Sequence, residues 1–126
     1  MSYGVASHAH MKIAAADIAA NNGTDWTKIS GNLPDCLALI ILNDLDQLVQ
    51  VKFNLTGQGT TAPTSATTPD YEFAAGEPAF LNYKNIGQMF GLCDVYVRKG
   101  ASDPTTGSLR ITGVKVAPAR LKGVGT

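Results

Sequence analysis

Seven consecutive apolar residues, Cys36 to Leu42, run directly into an Asn43-Asp44 break and then into an alternating stretch, QLVQVKFNL, over 47–55. Seven residues fall far short of the roughly 20 that a bilayer-crossing helix needs, so the run does not read as a membrane span. The alternating half puts Val49, Val51, Phe53 and Leu55 on one face and Gln50, Lys52 and Asn54 on the other, the pattern of a half-buried strand. LALIIL, residues 37–42, is apolar on both faces, as a strand covered from both sides would be. The side chains of Asn43, Asp44 and Asp46 favour a turn between the two, which predicts a hairpin.

A chain of 126 residues is long enough to hold one real core and too short for two good ones. The domain expected is therefore 1–126 as a single unit. Within it, 1–30 forms an N-terminal arm or strand, 56–70 a long Thr/Ser/Pro loop, and 117–126 a C-terminal tail. The tract, TGQGTTAPTSATTPD, offers too little apolar area to order itself and reads as a long loop or mobile excursion within the one domain.

Further strand signals follow the loop. YEFAA and AFLNY flank Gly76-Glu77-Pro78, a turn by composition with proline where a strand would begin. Ile86, Met89 and Phe90 fit a single helical turn, which Gly87 and Gly91 keep short. DVYVRK and LRITGVKV alternate on either side of GASDPTTGS, a second predicted hairpin. Leu109 and Ile111 are out of phase with Val114 and Val116, and a β-bulge at Gly113 would restore one inward face. KIAAADIAAN fits either a short helix or an extended strand, with Trp26 and Ile29 entering the core soon after. The β signal downstream favours strand or arm. The fold class expected is all-β: a single antiparallel β-sandwich or jelly roll of about six to eight strands with extended terminal arms.

Chemistry is hard to find in this chain. Ten Lys and Arg balance ten Asp and Glu, which offers no electrostatic footprint for direct nucleic-acid binding. From Val95 onward six basic residues face one acid, read either as solvated strand faces or as an arm for an acidic partner. His8 and His10 share one side of an extended chain but lack a third metal ligand. Cys36 and Cys93 sit in apolar runs, as reduced core residues or as one bridge; a Cys/His nucleophile would need an exposed, electropositive thiolate. GQGTT lacks the lysine and strand-to-helix setting of a phosphate loop. Asp44 and Asp46 read as turn residues, short of a calcium site. Asn22 and Asn54 head glycosylation triplets, but MSYGVASHAHMK does not read as a secretory leader. Tyr71, Tyr83, Tyr96 and Trp26 fit ordinary strand packing better than a sugar-binding face. No catalytic, cofactor-binding or metal residue is expected.

What remains is a strand whose second face lacks a cover. A small sandwich cannot bury both sides of LALIIL by itself, so a subunit or partner is expected over Leu37, Leu39 and Ile41. The basic tail residues Arg120 and Lys122 are expected to join that interface.

Three stretches carry a resemblance: ILNDLDQLVQVKFN (41–54), EFAAGEPAFLNYKN (72–85) and DVYVRKGASDPTTGSLRITGV (94–114). Over roughly 85 residues their order of turns and strands resembles that of small virion structural proteins of tailed bacteriophages. The resemblance implies a non-enzymatic capsid cement or decoration protein that stabilises the assembled shell. A head-to-tail connector or tail component, or a glycan- or receptor-binding module, is the alternative. It further implies a homo-oligomer such as a trimer, contact with the major capsid protein, no cofactor, and a place on the capsid surface after synthesis in the host cytoplasm. These motifs are turns and alternations, so no functional residue transfers one by one.

Overall fold

The computed structural model describes residues 7–19, 26–30, 38–55, 62–82 and 93–115. Within them lie eight strands and one short helix: β1 (Ser7–Ala14), α1 (Ala15–Ala19), β2 (Thr27–Lys28), β3 (Ala38–Asn43), β4 (Val49–Leu55), β5 (Tyr71–Phe73), β6 (Pro78–Asn82), β7 (Cys93–Lys99) and β8 (Ser108–Lys115). They form two antiparallel four-stranded sheets, ordered β1-β8-β3-β6 and β2-β7-β4-β5. Only β4 and β5 are consecutive strands in one sheet; every other connection crosses to the opposite sheet. Eight strands wound in this way make a jelly roll. KIAAADIAAN divides between the two conformations that it fits: Lys12 to Ala14 end β1 and Ala15–Ala19 is helical.

Alternation builds the core. Met11, Ile13, Leu39, Ile41, Leu109 and Ile111 point inward from the first sheet, and Val49, Val51, Phe73, Val95 and Val97 meet them from the second. Facing β-branched and leucine side chains interdigitate between sheets about 10 Å apart. Ile18 of α1 and Ile29 close the cluster.

Both predicted hairpins are corrected. β3 pairs with β6 and β8, β4 with β5 and β7, so 38–55 is an arch joining the two sheets. The same holds for β7 and β8. The reason at the first arch is Asn43, fully buried at the corner. Its Nδ2 donates to the carbonyls of Gln47 (3.1 Å), Phe73 (2.9 Å) and Ala74 (2.9 Å), and its Oδ1 accepts from the Leu45 amide at 3.1 Å. With the corner held and Leu45 buried behind it, the two arms meet through side chains rather than through a backbone ladder.

The bulge at Gly113 is also corrected. Its neighbours on both sides pair one for one, Ala9↔Gly113 and Leu39↔Gly113 included, so alternation is unbroken. Gly113 faces inward and Val114 outward beside Arg110 and Thr112.

Residues 62–70 form a loop, the first of the two forms expected, and it lies over the outer face of the second sheet. Trp26 Nε1 donates to the Thr64 carbonyl at 2.9 Å. Arg98 donates to the carbonyls of Ser65 (2.9 Å) and Thr67 (3.3 Å), and its guanidinium lies 4.3 Å from the Trp26 ring centroid. Asp70 accepts the Phe53 amide at 2.8 Å. The tract lacks core residues, so its order comes from donors on the sheet that satisfy its carbonyls. Trp26 is thus buried under this loop, outside the core cluster that Ile29 joins. The helical turn around Ile86 and the tail 117–126 lie outside the described residues.

Asp46 fastens the two arch corners together. Its carboxylate accepts the Thr105 hydroxyl at 2.5 Å and the Thr105 and Thr106 amides at 2.8 and 3.3 Å. The Thr105 hydroxyl bond, then the backbone bonds, hold its pKa below the ordinary 3.8. A carboxyl with a depressed folded pKa stabilises above its unfolded value, and that stability is lost as pH falls through the folded one. Urea midpoints are therefore expected to drop below about pH 4 in the wild type and to drop less in Asp46→Asn. Parallel curves for the two proteins would remove Asp46 as a fastener.

Candidate docking surface

The outer face of the first sheet is built from three cross-strand rows set by register. One row runs His10, Thr112, Ile40, Phe80; the next Lys12, Arg110, Leu42, Pro78; and Val114 opposes Ala38 in the third. β3 alternates strictly, so Ala38, Ile40 and Leu42 point out while Leu39, Ile41 and Asn43 point in. Ile40 is 47% exposed, Leu42 36% and Phe80 61%, on adjacent strands. Side chains opposite each other in antiparallel strands lie about 5 Å apart at Cβ, so these three make one apolar patch.

This overturns the expected outer residues. Leu39 and Ile41 are fully buried, because register and the Asn43 corner commit their face to the core. Leu37, Arg120 and Lys122 lie outside the described residues. The doubly apolar pattern of this strand points to cover on both sides without fixing which face is outer, and the outer one carries Ala38, Ile40 and Leu42. Val114, out of phase with Leu109 and Ile111, was the signal available: it belongs to the outer patch with Ile40.

The polar half of the face is cationic. Six Lys and Arg side chains are described. Lys28 pairs with Asp94 (3.5 Å), Lys52 with Asp70 (3.3 Å) and Lys99 with Asp103 (2.6 Å). Arg98 Nε donates to Gln50 Oε1 at 2.6 Å, and Gln50 donates onward to Glu72 at 2.6 Å. Lys12 and Arg110, directly opposite each other, make no ion pair with any described residue. Thr112 Oγ1 lies 3.1 Å from His10 Nδ1 in the adjoining row.

The other candidates fall into ordinary roles. No group of three or more His, Cys, Asp and Glu among the described residues is placed to hold a metal. Asp46 is committed to Thr105 and Thr106. Tyr71 is half-buried between Phe53 (edge-on, 6.2 Å) and Phe73 (stacked, 5.9 Å), and burial, then the Asp70 charge, raises its pKa. Cys93 opens β7, whereas Cys36 and Tyr83 lie outside the described residues. No described helix is long and apolar enough to cross a membrane. Compared with known proteins, the chain matches no family, no characterised protein and no solved structure.

Proposed function

We propose that the chain is a non-enzymatic virion structural protein of the capsid cement or decoration kind, which self-associates and clamps neighbouring shell subunits. The observation that carries this reading is the exposed patch of Ile40, Leu42 and Phe80 on a jelly roll whose interior is filled with aliphatic side chains. A surface that keeps three large apolar side chains together invites a protein neighbour. Binding that neighbour only in the assembled shell would stabilise the shell by mass action. A connector or tail role would use the same surface at lower copy number. A glycan-binding role is less well supported, since Tyr71 and Trp26 are engaged within the fold.

Phe80→Asp combined with Ile40→Ser is expected to weaken co-sedimentation with purified particle shells by about 30-fold, the loss of one interface hot spot. Both positions are exposed, so the melting temperature should hold. Copy number in particles separates the roles: on the order of hundreds for a cement, about six or twelve for a ring. A monodisperse monomer at micromolar concentration with no affinity for shells would sink the reading.

A further inference from the structure

We infer that the outer face of the first sheet takes a protein surface of mixed acidic and apolar character, one that sets carboxylates over Lys12 and Arg110 and an apolar side chain over Ile40, Leu42 and Phe80. This deepens the docking proposed above and rests on the same face.

The charge pattern carries the inference. Like charges placed directly opposite each other on neighbouring strands destabilise a sheet. Lys12 and Arg110 are such a pair, both exposed, with no compensating carboxylate among the described residues. The other described cations are answered: Lys28, Lys52 and Lys99 each have an acid, and each guanidinium nitrogen of Arg98 donates a hydrogen bond. An edge-guarding role accounts for a lysine on β1, an outer strand of the sheet. It does not account for Arg110, since β8 is an inner strand flanked by β1 and β3.

The chain segments that follow β6 and β8 bring no acid. Residues 83–92 after β6 read YKNIGQMFGL and residues 116–126 after β8 read VAPARLKGVGT, without one Asp or Glu. A second copy would bring the same acids, of which Asp46, Asp70, Glu72, Glu77, Asp94 and Asp103 are already engaged within the fold, so the partner inferred is a different molecule. Register fixes the spacing the partner must match. Arg110 and Leu42 are direct neighbours in one row, about 5 Å apart, and Lys12 is one strand further, about 10 Å from Leu42. Charge alone therefore does not satisfy the site: a partner needs an acid and an apolar group within one or two strand spacings. Arg110 suits a carboxylate through its planar fork of donors.

The test is a backbone-amide NMR titration of the full chain with four probes. They are a helical peptide of about three turns, long enough to cross the four strands, with Glu and Leu on one face; the same peptide with Lys for Glu; poly-glutamate; and duplex DNA. The Glu/Leu peptide is expected to shift the amides of Lys12, Arg110, Ile40, Leu42 and Phe80. Lys12→Glu/Arg110→Glu is expected to bind it about 10-fold more weakly and to prefer the Lys peptide instead. Equal binding of the Glu peptide by that variant would overturn the inference. So would a shift map elsewhere on the protein, no shift at about millimolar peptide, or poly-glutamate or DNA binding as well as the Glu/Leu peptide, which would mark a polyanion site only. No shell is needed for this titration. Shell binding that survives charge reversal but not Phe80→Asp would leave the docking role standing without an acidic partner, and a positive titration without shell binding would do the reverse.

Discussion

Gly107→Ala is expected to cost about 4 kcal/mol or more and to lower the melting temperature by about 15 °C. Gly107 has φ of +85°, and a Cβ built there would lie 1.8 Å from the Asp44 carbonyl oxygen and 2.8 Å from its carbon. Those atoms are backbone at the first arch corner, so no side chain can swing aside. The surroundings are fixed as well: the Gly107 carbonyl accepts the Ala15 amide at 3.1 Å, and the Asp44 amide donates to the Ser108 carbonyl at 3.0 Å. Gly76→Ala is the control. Gly76 also has positive φ, +76°, but a Cβ there meets nothing within 4 Å, so only the backbone cost of about 1 kcal/mol is expected. Denaturant melts of the two variants that agree within about 1 kcal/mol would show that the arches are not in close contact there.

Asn43→Asp comes next in size, at about 3 to 5 kcal/mol near neutral pH. The substitution puts a carboxylate oxygen where Nδ2 now donates to three carbonyls, at a fully buried position. Three oxygens and burial all raise the pKa of such a group. The unfolded chain releases its proton near pH 4 while the folded one retains it, so the variant's stability falls as pH rises from about 4 toward the folded pKa. Part of the loss should return on acidification, because a protonated carboxyl donates one bond. Asn43→Ala, with carbonyls left unmet and no charge, should cost about 2 kcal/mol with no such pH dependence. Equal melts for Asn43→Asp and wild type at pH 7 would mean that the corner does not depend on this amide.

These two residues also mark the boundary of what was legible. Alternation gave the strands themselves: Val49 and Val51 face inward as the pattern requires, and Pro78 starts β6 as the turn composition implies. Period two states which residues share a face; it does not state which strand lies alongside. Asn43 and Asp44 mark a change of direction, but a turn of similar composition can close a hairpin or an arch. The choice depends on Phe73 and Ala74, some thirty residues away, which accept from the Asn43 side chain. The docking face was half legible. Leu39 to Leu42 is apolar on both sides, so its inward face is fixed only by register against β8, where Leu39 meets Gly113 and Ile40 meets Thr112. Lys12 and Arg110 are nearly a hundred positions apart in the chain and become neighbours only through that same strand.

The position of β8 has a consequence for how the protein is made. It lies between β1 and β3, so the first sheet lacks an inner strand until residues 108–115 have left the ribosome. Until then β3, apolar on both faces, presents an open edge of the kind that recruits other chains. Pairing Ser7 with Lys115 closes a loop of almost the whole chain, which makes folding slow as well as late. A nascent chain stalled before Ser108 would carry its stickiest strand unpaired.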